Sequence, residues 1–250
     1  MAIFFESYQA DRCCLCGSGE GLTGEHKIKA SALRKVFGRD AMVIGNFDGE
    51  TSPLSAQGPK SSAFHFSARV CSLCNGARTQ KPDREFDLFH ALTSSVLLEG
   101  KDPSSVFRSP RYAVGSEAYL NVFRYFSKLL CCHVAESCGP RLLEACDFSI
   151  GKANRNIVFL DIDADPTYAA YRDKLGEHKF AGHGGLIVHF DSTTQIPTSF
   201  QSSISLEAVR YTFWVCFEPS VAVALRRFHY EFWRKCEAAY QEALKKSIIR

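Results

Sequence analysis

The sequence predicts an α+β protein in two parts: a cysteine-stapled module over residues 1–100, then a mixed helical and β domain over residues 101–250. Three observations carry this. Two Cys-x-x-Cys pairs, Cys13/Cys16 and Cys71/Cys74, bracket the first part. A stretch containing Pro103, Ser104, Ser105, Pro110 and Gly115 separates it from the second. In both parts, segments of two-residue alternation are mixed with segments of helical spacing.

Composition narrows the possibilities. Hydrophobic residues make up 46% of the 250, enough for one large core or two modest ones. The net charge is only +3, so any surface that holds phosphates must be a local patch. The 20 phenylalanines favour a folded globule over a disordered chain. There is no apolar run of about 18 residues to span a membrane, so no membrane partner is expected. Met1 to Glu6 lacks the basic leader and apolar stretch of a signal peptide. Eleven cysteines, an odd number, then point to a reducing, cytoplasmic setting, where paired cysteines serve as metal ligands more often than as disulfides.

The elements follow in order. After Cys13-Cys14-Leu15-Cys16-Gly17 comes a Gly-rich stretch from Ser18 to Gly24, then Glu25-His26. Ala30 to Phe37 reads as a helix stopped by Gly38. Ala41 to Phe47 reads as a short strand with a turn at Asp48-Gly49, and residues 50–62 read as a loop. Phe64 to Val70 alternates like a strand and runs into the second cysteine pair. A helix follows, restarted near Pro82, with Phe86, Phe89, Leu92 and Val96 on one face. Residues 116–137 form a strong helix, and 140–147 a second. Ile157 to Ile162, Gly185 to Phe190 and Val209 to Phe217 read as strands, with a helix from Pro166 to Leu175 after the first. Residues 225–247 read as one long amphipathic helix.

Each Cys-x-x-Cys places two thiolates on one side of a tight turn. Two such knuckles complete a closed tetrahedral S₄ site, which suits structural Zn²⁺ and leaves no open position for water. Cys13 has better knuckle spacing than Cys14, although Cys14 stands open as an alternative. Cys131, Cys132 and Cys146 sit in apolar helical contexts and read as core.

Glu25-His26 lies between the knuckles, and Asn75 follows the second one. Phosphodiester hydrolysis needs a base for the attacking water, a cation at the phosphate, and ligands for that cation. His26 suits the base, since neutral imidazole accepts a proton near pH 7. Glu25 and Asn75 offer oxygen ligands suited to Mg²⁺ or Mn²⁺.

The succession Cys13-x-x-Cys16, Glu25-His26, Cys71-x-x-Cys74-Asn75 resembles the HNH (His-Me finger) endonucleases, in particular the zinc-containing four-cysteine subset that includes phage endonuclease VII. The resemblance covers about residues 10–90. It implies a ββα-metal fold, with His26 as general base and Glu25 and Asn75 as ligands of a catalytic divalent ion. It implies a nucleic-acid partner, DNA favoured over RNA. Two departures stand out. The span from His26 to Cys71 carries an insertion, and the final helix has no obvious third functional histidine. Asp83 or Asp87 can substitute, or each is a solvated helix charge.

Further assignments complete the module. Arg78 is positioned to bind the scissile phosphate, or to form a surface salt bridge. Lys27 and Lys29 can touch the nucleic-acid backbone, or serve solubility. His65 orients the base or the metal site, or is structural. In the second part, Ala181 to Gly185 reads as a tight turn, and His133 and His178 as structural or exposed. The last helix, with Arg226, Arg227, Arg234, Lys235, Lys245, Lys246 and Arg250, is a basic docking face or a solvated surface. A partner protein or a second copy of the chain is a further partner. The layout suits defence, restriction or recombination by analogy alone. The alternative function is a non-catalytic zinc module that binds nucleic acid or protein. A third, a thiol oxidoreductase, requires a redox-active dithiol.

Overall fold

The structure of the protein is a computed structural model that describes residues 4–38, 42–44, 54–56, 61–175 and 180–248. The turn expected at Asp48-Gly49, His178 and Arg250 lie outside the described residues. In chain order the elements are β1 (Phe5–Glu6), β2 (Leu22–His26), α1 (Ala30–Phe37), β3 (Met42–Ile44), β4 (Leu54–Ala56) and β5 (His65–Cys71). A π-helical turn over Cys74–Arg78 leads into α2 (Gln80–Leu98). Short 3₁₀ turns over Pro103–Arg108 and Pro110–Tyr112 precede α3 (Glu117–Glu136), β6 (Arg141–Leu142) and α4 (Leu143–Ser149). Then follow β7 (Phe159–Ala164), α5 (Pro166–Leu175), β8 (Ala181–His183), β9 (Ile187–Phe190), β10 (Pro197–Leu206), β11 (Val209–Cys216), α6 (Pro219–Phe228) and α7 (Tyr230–Ile248).

The antiparallel sheet of the second half runs β7-β11-β10-β8, with β9 also on β10. Strands β10 and β11 form a hairpin in register from Ser199↔Cys216 to Leu206↔Val209. Along β11, Val209, Tyr211, Phe213 and Val215 turn inward, the period expected of a strand with one buried face. Their partners come from α2 and α3. Tyr211 meets the rings of Phe86, Phe89 and Phe126, and its hydroxyl lies 2.9 Å from His90 Nδ1. This satisfies a polar atom that the aromatic core would otherwise strand.

Helix α3 is central. Ser116 caps it, its Oγ accepting from Tyr119 N at 3.1 Å, as an N-cap serine should. From Asn121 to Ala135 it is buried on nearly every side, because β5, α2 and α4 all pack against it. Buried side chains on both sides of residue 100 pack in one cluster that includes Cys13, Val70, Phe89, Phe126, Tyr211 and Phe232. Among the described residues, no helix is long and apolar enough to cross a membrane.

Several elements differ from the sequence reading. The C-terminal helix is two helices, broken at His229, whose backbone (φ −134°, ψ 48°) leaves the helical region. Strand β4 pairs with β3 inside the segment read as loop. The Ala181–Gly185 turn is partly strand β8, paired to β10. Strand β10 itself is absent from the sequence reading. Its four serines mask the apolar alternation, and two of them, Ser202 and Ser205, are fully buried in the sheet.

Candidate functional site

The first knuckle is a closed turn. Gly17 N donates to Cys13 O at 2.8 Å, and Cys13 N to Ser18 O at 2.7 Å. Gly17 takes φ +77°, a conformation that favours glycine. Cys14 N donates to Arg69 O at 2.9 Å, docking the turn on β5. The second knuckle starts at the last residue of β5. The sulfurs of Cys13, Cys16, Cys71 and Cys74 all lie within 4.8 Å of one another, with Cys16 and Cys71 at 3.6 Å. The edges of a tetrahedral zinc–thiolate site are about 3.8 Å, given Zn–S bonds near 2.3 Å, so four sulfurs so close can hold one zinc ion. Interaction with Cys74 pulls the Cys13 thiol down to about 4, and the same interaction pushes Cys74 up. Cys14 faces elsewhere: its sulfur is 3.7 Å from that of Cys132 on α3. The choice between Cys13 and Cys14 thus falls to Cys13.

Arg141, from β6, holds the knuckle from outside. It donates to Cys14 O at 3.2 Å and Leu15 O at 2.7 Å, and pairs with Glu6 at 2.6 Å.

Strands β2 and β5 form a two-stranded antiparallel ribbon, and α2 follows it. The register slips between Gly24↔Arg69 and His26↔His65, and such irregularities re-aim side chains. Here Glu25 is turned into the interior at 7% exposure. The His26 ring lies 3.9 Å, centroid to centroid, from that of His65. Room for His65 depends on Gly24, where a Cβ would stand 3.0 Å from His65 Nδ1.

Asn75 closes the arrangement. Its Nδ2 donates to Gly24 O at 2.9 Å and to Thr23 Oγ1 at 3.0 Å, while Thr23 Oγ1 donates to Val70 O. The amide nitrogen is therefore committed to β2, and the amide oxygen is the atom left for a cation. Glu25, His26 and Asn75 line one cavity of about 230 Å³, together with Lys29, Ala30, Ser31, Arg34, Asp83 and Tyr125. Four buried polar atoms of this lining have no hydrogen-bond partner: Glu25 Oε2, His26 Nε2, Ser31 Oγ and Tyr125 OH. Native proteins leave few such groups unpaired, and a cluster of them marks a place for a ligand, ion or water.

Sequence reasoning missed Lys128. Its ammonium, 2% exposed, reaches from α3 to Glu25 Oε1 at 3.2 Å and Asp83 Oδ1 at 2.7 Å. Burial works against its charge, but the two carboxylates outweigh burial and hold its pKa above the ordinary lysine value. One ammonium serves two carboxylates, so Glu25, being buried and beside Asp83, still titrates above the usual carboxylate range. Burial first, then the charges of His65, Arg34 and Lys128, push the His26 imidazole down to about 4. It is neutral at pH 7. The available signal for Lys128 was a lone cation between Phe126 and Leu129-Leu130 in an apolar helix, where a charge needs a partner.

The structure brings Asp83 to the cavity and leaves Asp87 outside it, paired with Lys29 at 2.5 Å. Lys29 Nζ also donates to Asp83 O. Lys27 pairs with Glu136 at 3.1 Å and does not line the cavity. Arg78 donates to Cys74 Sγ at 3.3 Å, beside the sulfur cluster. His133 is buried against Phe66 and is structural. Among the described residues, the four cysteines are the only group of three or more His, Cys, Asp or Glu side chains placed to share a metal ion. Comparison with protein-family models, with curated proteins and with solved structures gave no match.

Proposed function

We propose that the protein is an HNH-type endonuclease that hydrolyses phosphodiester bonds of nucleic acid, DNA favoured over RNA. The observation that carries this is the convergence of Glu25, His26 and Asn75 on one cavity, with Glu25 Oε2 and His26 Nε2 buried and unpartnered. The order of β2, β5 and α2, a ribbon followed by a helix, supports the ββα-metal reading.

The four-cysteine site is structural, since all four positions of a tetrahedral zinc are filled by sulfur. The second donor set also fits its ion: Glu25 Oε2, the Asn75 amide oxygen and the Asp83 carboxylate are hard oxygens of the kind Mg²⁺ and Mn²⁺ take. When bound, such an ion neutralises charge on the phosphate and the leaving oxygen. The chain's residues supply the rest. His26, neutral at working pH, accepts the proton of the attacking water at Nε2. His65 packs against its ring and fixes its plane. Lys128 holds Glu25 by Oε1, leaving Oε2 for the cavity. Asn75, tied to β2 by its nitrogen, has its amide oxygen left to serve the ion.

A second reading, a zinc module that binds without cutting, is favoured by one observation: Lys128 already supplies a cation to both carboxylates. Incubation of plasmid and single-stranded substrates with Mg²⁺ separates the two. The enzyme reading expects metal-dependent cutting that falls about 10²–10⁴-fold in His26→Ala. Binding without cutting supports the second reading.

A further inference from the structure

The cationic residues near the cavity are nearly all committed. Lys27 is held by Glu136, Lys29 by Asp87 and the Asp83 carbonyl, Lys128 by Glu25 and Asp83, and Arg78 by the Cys74 sulfur. Arg34 differs. It is exposed, it lines the cavity, and among the described residues no carboxylate or hydrogen-bond acceptor engages it. It sits on the second turn of α1, inside the segment between β2 and β5. The first turn of the same helix presents Ala30 and Ser31 to the cavity. The N-cap, Lys29, makes no side-chain cap, so first-turn N–H groups are left over, as at any uncapped helix start. Ser31 Oγ and Tyr125 OH, the latter on a side chain 2% exposed, complete this wall without partners of their own.

The cavity therefore has two unlike sides. Glu25, Asp83 and Asn75 present oxygens. Arg34, Ser31, Tyr125 and the start of α1 present donors and positive charge, and helix starts favour anions. An anion entering beside two carboxylates is repelled unless a free cation faces it.

We propose that Arg34, supported by Ser31 and Tyr125, binds the phosphodiester group of the nucleic acid in this cavity, taking the role that the sequence reading gave to Arg78, Lys27 and Lys29. The assignment rests on the cavity being the phosphodiester-binding site. The guanidinium donates two parallel N–H groups to the non-bridging phosphate oxygens. The Ser31 and Tyr125 hydroxyls donate to what remains.

The test uses the full zinc-loaded chain and two small probes that each carry a single phosphodiester. Bis(p-nitrophenyl) phosphate reports hydrolysis with Mn²⁺. Thymidylyl-(3′→5′)-thymidine, which carries one phosphodiester, reports binding by ligand-detected NMR without added divalent ion. Arg34→Ala is expected to lower kcat/KM at least tenfold and to weaken dinucleotide binding threefold or more. Arg34→Lys should recover part of both. Lys35→Ala, on the same helix but outside the lining, should change neither. Wild-type hydrolysis that Arg34→Ala leaves unchanged overturns the assignment and keeps the nuclease reading. If wild type does not hydrolyse the diester, the nuclease reading fails, and dinucleotide binding decides: weakened in Arg34→Ala, the anion site stands; unchanged or undetectable in wild type, it falls.

Discussion

Replacing Lys128 by methionine keeps the length of the side chain and removes the cation that bridges Glu25 and Asp83. Glu25 has a side chain 9% exposed and Asp83 one 21% exposed. Asp83 can keep its charge with help from water, but Glu25 cannot. Its escape is to take up a proton, which at pH 7 costs about 4 kcal/mol for a carboxyl that ordinarily titrates near 4.3, at about 1.4 kcal/mol per pH unit. That is within the roughly 3–5 kcal/mol lost when one partner of a buried ion pair is removed. The same reasoning sets a pH dependence. In the folded variant the Glu25 pKa is raised above its unfolded value, so the folded state binds the proton more readily and acid favours it. The cost of the substitution should therefore shrink from about 4 kcal/mol at pH 7 to about 1 kcal/mol at pH 5. Urea unfolding of both proteins at the two pH values, followed by far-UV circular dichroism, measures it. In a Glu25→Gln background, Lys128→Met should cost less than half as much. A loss under about 1 kcal/mol at pH 7, or a loss equal at both pH values, refutes the account.

Other outcomes follow from the same geometry. One zinc per chain is expected, with four thiols that react with a thiol reagent only after chelation; zinc removal should lower the thermal midpoint by about 10 °C or more, as a loss of several kcal/mol does in a chain of this size. Arg141→Ala frees two knuckle carbonyls and should cost about 2–4 kcal/mol; stopped-flow chelator competition should show zinc leaving several-fold faster. Burial, with His183 and Lys27 nearby, pushes the His133 imidazole down to about 3. Its folded pKa lies below the unfolded value near 6.5, so stability is lost as pH falls from about 6.5 toward 3. His133→Gln should flatten that slope by up to about 1.4 kcal/mol per pH unit in urea titrations between pH 6 and 4.

What was legible in the sequence was chemistry at fixed spacing. The four cysteines declare themselves because a knuckle is a local object, and α1 with its Gly38 stop is likewise set by neighbours in the chain. Glu25, His26 and Asn75, which line one cavity, can be singled out because the cysteines fix where to look. Lys128, Tyr125 and Arg141 cannot, since their roles depend on packing across about a hundred residues of chain. The pairing of the cations is hidden from the sequence for the same reason. Lys27, Lys29 and Arg78 look free in the sequence, and each is already paired in the fold, whereas Arg34, one turn further along α1, has no such partner among the described residues.

The guanidinium of Arg141 that closes on Cys14 O and Leu15 O comes from far downstream of the knuckle it steadies. During vectorial synthesis, Cys13, Cys16, Cys71 and Cys74 all leave the ribosome tunnel well before that clamp. A nascent chain at this stage carries thiols able to capture an ion but lacks the brace that resists its exchange. Metal acquisition could thus begin early and reversibly, and on this account it would tighten once the later half has docked.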